Sequence, residues 1–95
     1  MKTPVSAVEL SRIVGYNIRC ARKHLKLTQD ELSARTEVIG FRINRRVIGK
    51  IECAEKLISI YDLIVLSQAL HLPADDILKG EWNGEDSADP RAVCQ

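Results

Sequence analysis

Residues 44–52 read Asn44-Arg45-Arg46-Val47-Ile48-Gly49-Lys50-Ile51-Glu52. At about 100° per residue, a helix over this stretch has two distinct faces. One face carries three cations around a glycine, and the other face is purely aliphatic. Asn44 is a favourable N-cap for such a helix. The pattern predicts a short helix whose back packs into a core while its cationic front meets an anionic partner.

Upstream of this stretch, Thr28-Gln29-Asp30-Glu31 has the spacing of a capping box. In that arrangement the Thr side chain accepts a backbone N–H three residues on, and the Glu side chain accepts the N–H of the cap. We therefore expect a second helix from Gln29 to about Glu37. Gly40 is expected to stop it, because glycine readily adopts the left-handed conformation that ends many helices.

Three further helices complete the predicted chain. Apolar spacing predicts a first helix over residues 8–25. Ser59 is expected to cap a fourth helix that runs to about Leu70, and Pro73 to open a fifth, at its first position, that runs to about Leu78. The expected organisation is an N-terminal arm at 1–7, one domain at 8–80 and a polar C-terminal tail at 81–95.

Composition favours a single small all-α domain. Apolar residues make up 45% of the 95 residues and aromatic residues 4%, a balance more typical of helices than of a β-sandwich. Cys20, Cys53 and Cys94 are odd in number and far apart, which predicts thiols in a reducing compartment rather than disulfides or a metal site. The sequence has neither a signal-peptide pattern nor an apolar stretch long enough to span a bilayer, so we expect a cytoplasmic protein.

The net charge of +1 conceals two oppositely charged halves. Residues 1–52 carry 11 Lys or Arg and 5 Asp or Glu, a net of +6, whereas residues 53–95 carry 3 and 8, a net of −5. Such an asymmetry suggests a molecule with one face for a polyanion, although scattered solvated charge is an alternative interpretation.

These segments together resemble the Xre/Cro-like, lambda-repressor-like helix-turn-helix family. The resemblance rests on Leu27-Thr28-Gln29-Asp30-Glu31-Leu32, on Ile48-Gly49-Lys50-Ile51-Glu52 and on Ala69-Leu70-His71-Leu72-Pro73, in that order. It covers about residues 12–79. It implies a compact five-helix domain with a helix-turn-helix at helices 2 and 3, and a third helix that enters the major groove of DNA.

The resemblance also implies roles for particular residues. Asn44, Arg45, Arg46 and Lys50 would face the DNA, with Arg suited to guanine. Gln29, with Thr28 at the same helix start, would hold a phosphate. Gly49 would allow close approach to the bases, the alternative being that it merely weakens the helix. Arg22 and Glu52 would form a structural ion pair between helices.

The chain departs from the family pattern in two places. Between Thr28 and Glu52 it is about five residues longer than compact members, with the extra length at residues 35–43. This insertion would either extend helix 2 or form a wing-like turn from which Arg42 reaches a phosphate. After Glu52 the family often has a glycine and basic residues. Here Glu55 would repel a phosphate. Of the residues after Glu52, only Lys56 is expected to contact the DNA backbone as the resemblance implies.

The expected function is that of a transcriptional regulator, most simply a repressor that binds double-stranded DNA as a homodimer and localises with the nucleoid. The alternative is an interaction module, such as an antitoxin-like partner of a toxin, that keeps the fold with weak or no DNA binding. An enzyme is not expected, because single histidines such as His24 and His71 are more often surface or helix-end residues than catalytic ones, and no nucleophile–base set, phosphate loop or metal spacing is readable in the sequence. No cofactor is expected.

Overall fold

A computed structural model of the chain describes residues 7–78. Over these residues the chain forms helices α1 (Ala7–His24), α2 (Gln29–Ile39), α3 (Arg45–Glu52), α4 (Ile60–Ala69) and α5 (Ala74–Leu78), and no strand. The predicted all-α class is confirmed. In this described part, no helix combines the length and the apolar character that crossing a membrane requires. Ala7, expected as the last residue of the N-terminal arm, begins α1. Residues 1–6 of that arm, residues 79–80 of the expected domain and the expected tail at 81–95 lie outside the described residues.

Side-chain caps begin three of the helices. The oxygens of Thr28, Asn44 and Ser59 each accept a backbone N–H three residues ahead, at 3.0 Å. At α2, Glu31 Oε1 also accepts the N–H of Thr28 at 2.8 Å, which completes the capping box. These bonds satisfy amide groups that have no partner inside the helix, so the helix starts are set by local chemistry.

Helix α2 is longer than the sequence pattern predicts. This helix ends at Ile39, two residues later than expected, and Gly40 adopts a left-handed φ of 111°. The N–H of Gly40 bonds the carbonyl of Glu37 (3.0 Å), and that of Phe41 bonds the carbonyl of Thr36 (3.2 Å), which is a Schellman motif. The Thr36 hydroxyl then accepts the N–H of Ile43 at 2.8 Å, so the following turn is anchored to α2.

Three other helix ends use the same motif without glycine. Lys26, Ala54 and His71 have φ values of 62°, 61° and 58° after α1, α3 and α4. In each turn two backbone N–H groups bond carbonyls of the preceding helix. Pro73 differs slightly from expectation: it precedes the first residue of α5, and its carbonyl accepts the N–H of Asp76 at 3.0 Å.

The helices pack around one apolar core. Helix α1 packs against α3 and α5, α2 packs against α3 and α4, and α4 contacts α5. The most deeply buried apolar side chains come from all five helices; they are Val14, Ile18, Leu32, Ile48, Ile51, Leu66 and Ile77. Asn17, also buried, donates from Nδ2 to the carbonyl of Ile77 at 2.7 Å, which ties the short α5 to α1.

Helices α1 and α3 approach each other closely at Gly15. A Cβ atom added to Gly15 would lie 2.3 Å from the carbonyl oxygen of Ile51 and 2.9 Å from that of Glu52. Only a residue without a side chain allows this separation. The position of α3 on the domain therefore depends on a glycine in the middle of α1.

Candidate nucleic-acid interface

The two faces predicted for α3 are present. Ile48 and Ile51 are fully buried and Val47 packs against the core, whereas Arg45, Arg46 and Lys50 are exposed. Burial of the aliphatic side chains holds the helix on the domain without using any of its cations. The cationic face is thus presented to solvent by a helix that is anchored from behind.

An ion pair between helices holds the C-terminal end of α3. Arg22 Nε lies 2.7 Å from Glu52 Oε2, and Arg22 Nη2 lies 3.0 Å from Glu52 Oε1. The side chains are 11% and 2% exposed, so this bidentate pair is largely shielded from water. Arg22 Nη1 also donates to the carbonyl of Leu27 at 2.8 Å. The pair joins the end of α1 to the end of α3, in the structural role that the resemblance implies.

Gln29 extends this network to the start of α2. Its Nε2 donates to Glu52 Oε1 at 3.1 Å, so Glu52 accepts bonds from both neighbouring helices. A glutamine amide carries two N–H donors, and a single bond to Glu52 leaves the second available for another acceptor. The side chain is therefore oriented before any ligand arrives.

These elements enclose a shallow depression, which we call the basic hollow. It is lined by Gln29, Arg45, Arg46, Gly49, Lys50, Cys53 and Glu55. Three cations and one carboxylate give the lining a positive balance. Among residues 7–78, neither Arg46 nor Lys50 has an ion-pair partner. The hollow is therefore a concave, cationic surface with a polar amide on one side.

No protein-family model matches the chain, and no curated protein matches it. Over residues 7–78, no three His, Cys, Asp or Glu side chains are grouped so that they would hold a metal ion. His24 and His71 are both exposed; His24 is the last residue of α1, and His71 lies in the turn after α4.

Gly49 lies on the floor of the hollow and is not required by the packing of the domain. A Cβ atom placed on it would lie 3.6 Å from Gln29 Oε1, which is an ordinary contact distance. This contrasts with Gly15, where a Cβ would overlap the backbone of α3. The missing side chain at Gly49 thus keeps the floor of the hollow low.

The remaining predicted DNA contacts lie outside the lining of the hollow. Thr28 and Asn44 are exposed caps at the starts of α2 and α3. Arg42 is exposed in the turn after α2, with its Nε 3.9 Å from Glu37 Oε1. Lys56 Nζ is 3.8 Å from Asp62 Oδ2 and 3.4 Å from the carbonyl of Leu57, so it is directed toward the start of α4.

Sequence reasoning missed one acidic neighbour of the cationic face. Asp30 Oδ1 lies 3.9 Å from Arg45 Nε, and both side chains are well exposed. An exposed pair at this distance is weak, so Arg45 can exchange it for another anion at little cost. Arg45 starts α3 and Asp30 lies in the first turn of α2, so the packing of the two helices brings the charges together.

Proposed function

We propose that the protein is a sequence-specific DNA-binding regulator of the lambda-repressor-like, helix-turn-helix kind. In this proposal α2 and α3 form the helix-turn-helix, and α3 lies in the major groove with the basic hollow against the DNA. The observation that carries the proposal is the placement of Arg45, Arg46 and Lys50 on the exposed face of a helix whose other face is buried.

The chemistry of these side chains suits base recognition. An arginine fork donates two bonds to O6 and N7 of guanine, and such a pair contributes about 1–3 kcal/mol of discrimination. Arg45 and Arg46 lie in the first turn of α3, the part of a recognition helix that contacts base edges. Gly49 would let the backbone of α3 come close to the bases.

Phosphate binding would come from the start of α2. Helix N-termini attract phosphate through free backbone N–H groups and the helix dipole, and Gln29 stands at this terminus with a pre-oriented amide. Thr28, Asn44 and Arg42 are exposed and would add contacts along the backbone of the DNA. Lys56 is the weakest member of the set, because Asp62 already lies beside it.

A homodimer on a palindromic operator is the assembly that we propose. Helix-turn-helix dimers contact two half-sites about 34 Å apart, so each copy needs to supply only one α3. The simplest regulation by such a dimer is repression by occupying a promoter, in the cytoplasm and at the nucleoid.

The proposal is tested by selection from a pool of random DNA duplexes, followed by anisotropy titrations of the selected duplex and a shuffled duplex at two salt concentrations. We expect a selected palindrome with guanine in each half-site. Replacing Arg45 and Arg46 by Ala should weaken binding about 100-fold and remove most of the preference over the shuffled duplex.

The matched control is Arg12→Ala, which removes one exposed arginine of α1 that does not line the hollow. This variant should change affinity less than about 3-fold. A pool that does not converge would contradict sequence-specific recognition, as would equal and purely salt-dependent affinity for the selected and the shuffled duplex. Full activity of the Arg45→Ala, Arg46→Ala protein would contradict the assignment to α3.

A second candidate is a protein-interaction module, such as an antitoxin-like partner of a toxin, that keeps the fold with weak or no DNA binding. Exposed apolar side chains on α2 and α4, including Val38 and Ile60, favour it. The same double variant separates the candidates, because an interaction module would retain its protein partner and its activity without the two arginines.

A further inference from the structure

Apart from the basic hollow, a second surface is formed where the C-terminal end of α2 meets the outer side of α4. Its members are large apolar side chains that the core of the domain does not use; they are Val38, Ile39, Phe41, Ile60, Tyr61 and Ile64. We call this surface the apolar face. Val38, Ile60 and Tyr61 are 88%, 75% and 71% exposed, which is unusual for residues of this size in a stable monomer.

Direct contact joins the α2 and α4 sides of the apolar face at one end. The rings of Phe41 and Tyr61 are stacked with their centroids 5.4 Å apart and their planes inclined by 23°. Phe41 follows α2 and Tyr61 lies in the first turn of α4, so the stack bridges the two helices. Ile60 and Ile64 stand one helical turn apart on α4 and extend the surface along that helix.

A shallow groove closes the surface at its other end. The groove is lined by Arg35, Val38, Ile39, Gln68, Ala69 and His71. Gln68 lies one turn beyond Ile64 on α4, and Val38 and Ile39 form the last turn of α2. Arg35 Nη1 donates to the carbonyl of Ala69 at 3.0 Å and holds the helices together beneath the groove. The apolar face is therefore continuous.

The size of this face is close to that of half a stable interface. The exposed parts of its six side chains amount to on the order of 600 Å², at the upper end of what a monomer exposes in one patch. A standard protein–protein interface buries about 800 Å² on each partner, including a polar rim. A polar rim of about 200 Å² around the apolar face would bring it to that size.

We propose that the apolar face is the surface through which two copies of this chain pair. The charges on its rim favour a second copy over a strongly charged partner. Glu37 and Arg42 lie together on the rim, with 3.9 Å between Oε1 and Nε, and both are exposed. In a two-fold dimer the same surface of both copies forms the interface. Glu37 of one copy can therefore pair with Arg42 of the other, and the two opposite charges compensate each other.

The location of the face relates the pair to DNA. Phe41 precedes the cap of α3, Asn44, by only three residues, so the apolar face borders the start of the helix with the exposed cations. Pairing through it sets the two α3 helices on either side of one two-fold axis. The inference rests on the proposed function only in this respect, because pairing itself is measured without DNA.

The test is sedimentation equilibrium of the full chain, without DNA, between about 1 and 200 µM. We expect a reversible dimer. Val38→Glu and Ile60→Glu each place a charge in the face twice per dimer and should raise the dimer dissociation constant about 100-fold or more. Val8→Glu is the matched control, because Val8 is an exposed valine on α1 and should leave the constant within about 3-fold.

Circular dichroism spectra and melting curves show whether each variant is folded. We expect all three variants to fold, because the replaced side chains are highly exposed. A dimer that weakens in both face variants but not in the control supports the proposal. A monomer at every concentration overturns it in favour of a partner of different sequence. Persistence of the dimer in the face variants also overturns the proposal. So does a control variant whose dimer dissociation constant rises as much as that of the face variants. DNA binding by a monomer would leave the proposed function standing without this interface.

Discussion

At the scale of single residues, Gly49 and Gly15 play opposite parts. A Cβ at Gly49 would meet only the Gln29 side chain at 3.6 Å, whereas a Cβ at Gly15 would lie 2.3 Å from the carbonyl oxygen of Ile51. The first glycine is dispensable for folding, and the second is demanded by the packing of α1 on α3. The same substitution at the two glycines therefore separates the proposed requirement for DNA binding from the requirement for stability.

Gly49→Ala is expected to leave the free energy of unfolding unchanged or to raise it by up to about 1 kcal/mol, because alanine is the better helix former. The same variant should lower the affinity for the selected DNA about tenfold, since the added methyl raises the floor of the basic hollow. Urea unfolding followed by circular dichroism and fluorescence anisotropy measure the two effects. Unaltered DNA affinity would show that Gly49 has no part in close approach.

Gly15→Ala, the matched substitution, should destabilise the domain by about 2 kcal/mol or more, because helix backbones must separate to admit the methyl group. Urea unfolding of the variant and the wild type measures this loss of stability. Equal stability of the Gly15 variant and the wild type would contradict the close contact of α1 with α3.

At the scale of the elements, the helix ends show how little the chain relies on glycine. α2 ends at Gly40, but α1, α3 and α4 end in the same left-handed turn at Lys26, Ala54 and His71. A residue with a Cβ atom is strained in this conformation by about 1 kcal/mol or more. The hydrogen bonds of the Schellman motif and the packing of the next helix hold the turns in spite of the strain.

Ala54→Gly is therefore expected to raise the free energy of unfolding by about 0.5–1 kcal/mol, because glycine relieves the left-handed strain after α3. The reverse change, Gly40→Ala, should lower the free energy of unfolding by about 1 kcal/mol, because it introduces the same strain. A Cβ at Gly40 would have no neighbour within 4 Å, so this variant reports backbone strain alone. Urea unfolding with an unchanged m-value is the measurement. A loss of stability in Ala54→Gly would contradict the explanation.

At the scale of the whole molecule, one buried carboxylate joins three helices. Glu52 at the end of α3 accepts from Arg22 of α1 at 2.7 and 3.0 Å and from Gln29 of α2 at 3.1 Å. With 2% of its side chain exposed, Glu52 depends on these partners for compensation of its charge. The network thus couples the position of α3 to both neighbouring helices.

A double-mutant cycle on Arg22 and Glu52 tests this coupling. Glu52→Met and Arg22→Met should each lower the free energy of unfolding by about 3 kcal/mol, because each leaves an uncompensated charge in a shielded site. The double variant should be more stable than the sum of the two losses predicts, since neither charge remains. Thermal and urea unfolding measure all four proteins. Additive losses would show that the pair acts as two independent side chains.

Features that depend on residues close together in the chain were predictable. The caps at Thr28, Asn44 and Ser59 each bond an N–H only three residues away, so the starts of α2, α3 and α4 are readable from the sequence. The two faces of α3 follow from helical periodicity in the same way. The extension of α2 to Ile39 and the left-handed turns without glycine were not predicted, because several residue types tolerate those positions once neighbouring helices pack.

Contacts between residues far apart in the chain were decided by tertiary structure. Packing of α2 beside α3 brings Asp30 to Arg45 and Gln29 beside Gly49, and packing of α2 on α4 stacks Phe41 on Tyr61. The Arg22–Glu52 pair was expected only from a family resemblance. Local hydrogen bonds and periodicity dictate where helices begin and which sides are apolar, whereas the fit of buried side chains between helices decides which exposed groups share a surface. The basic hollow and the apolar face are both set by this fit between helices.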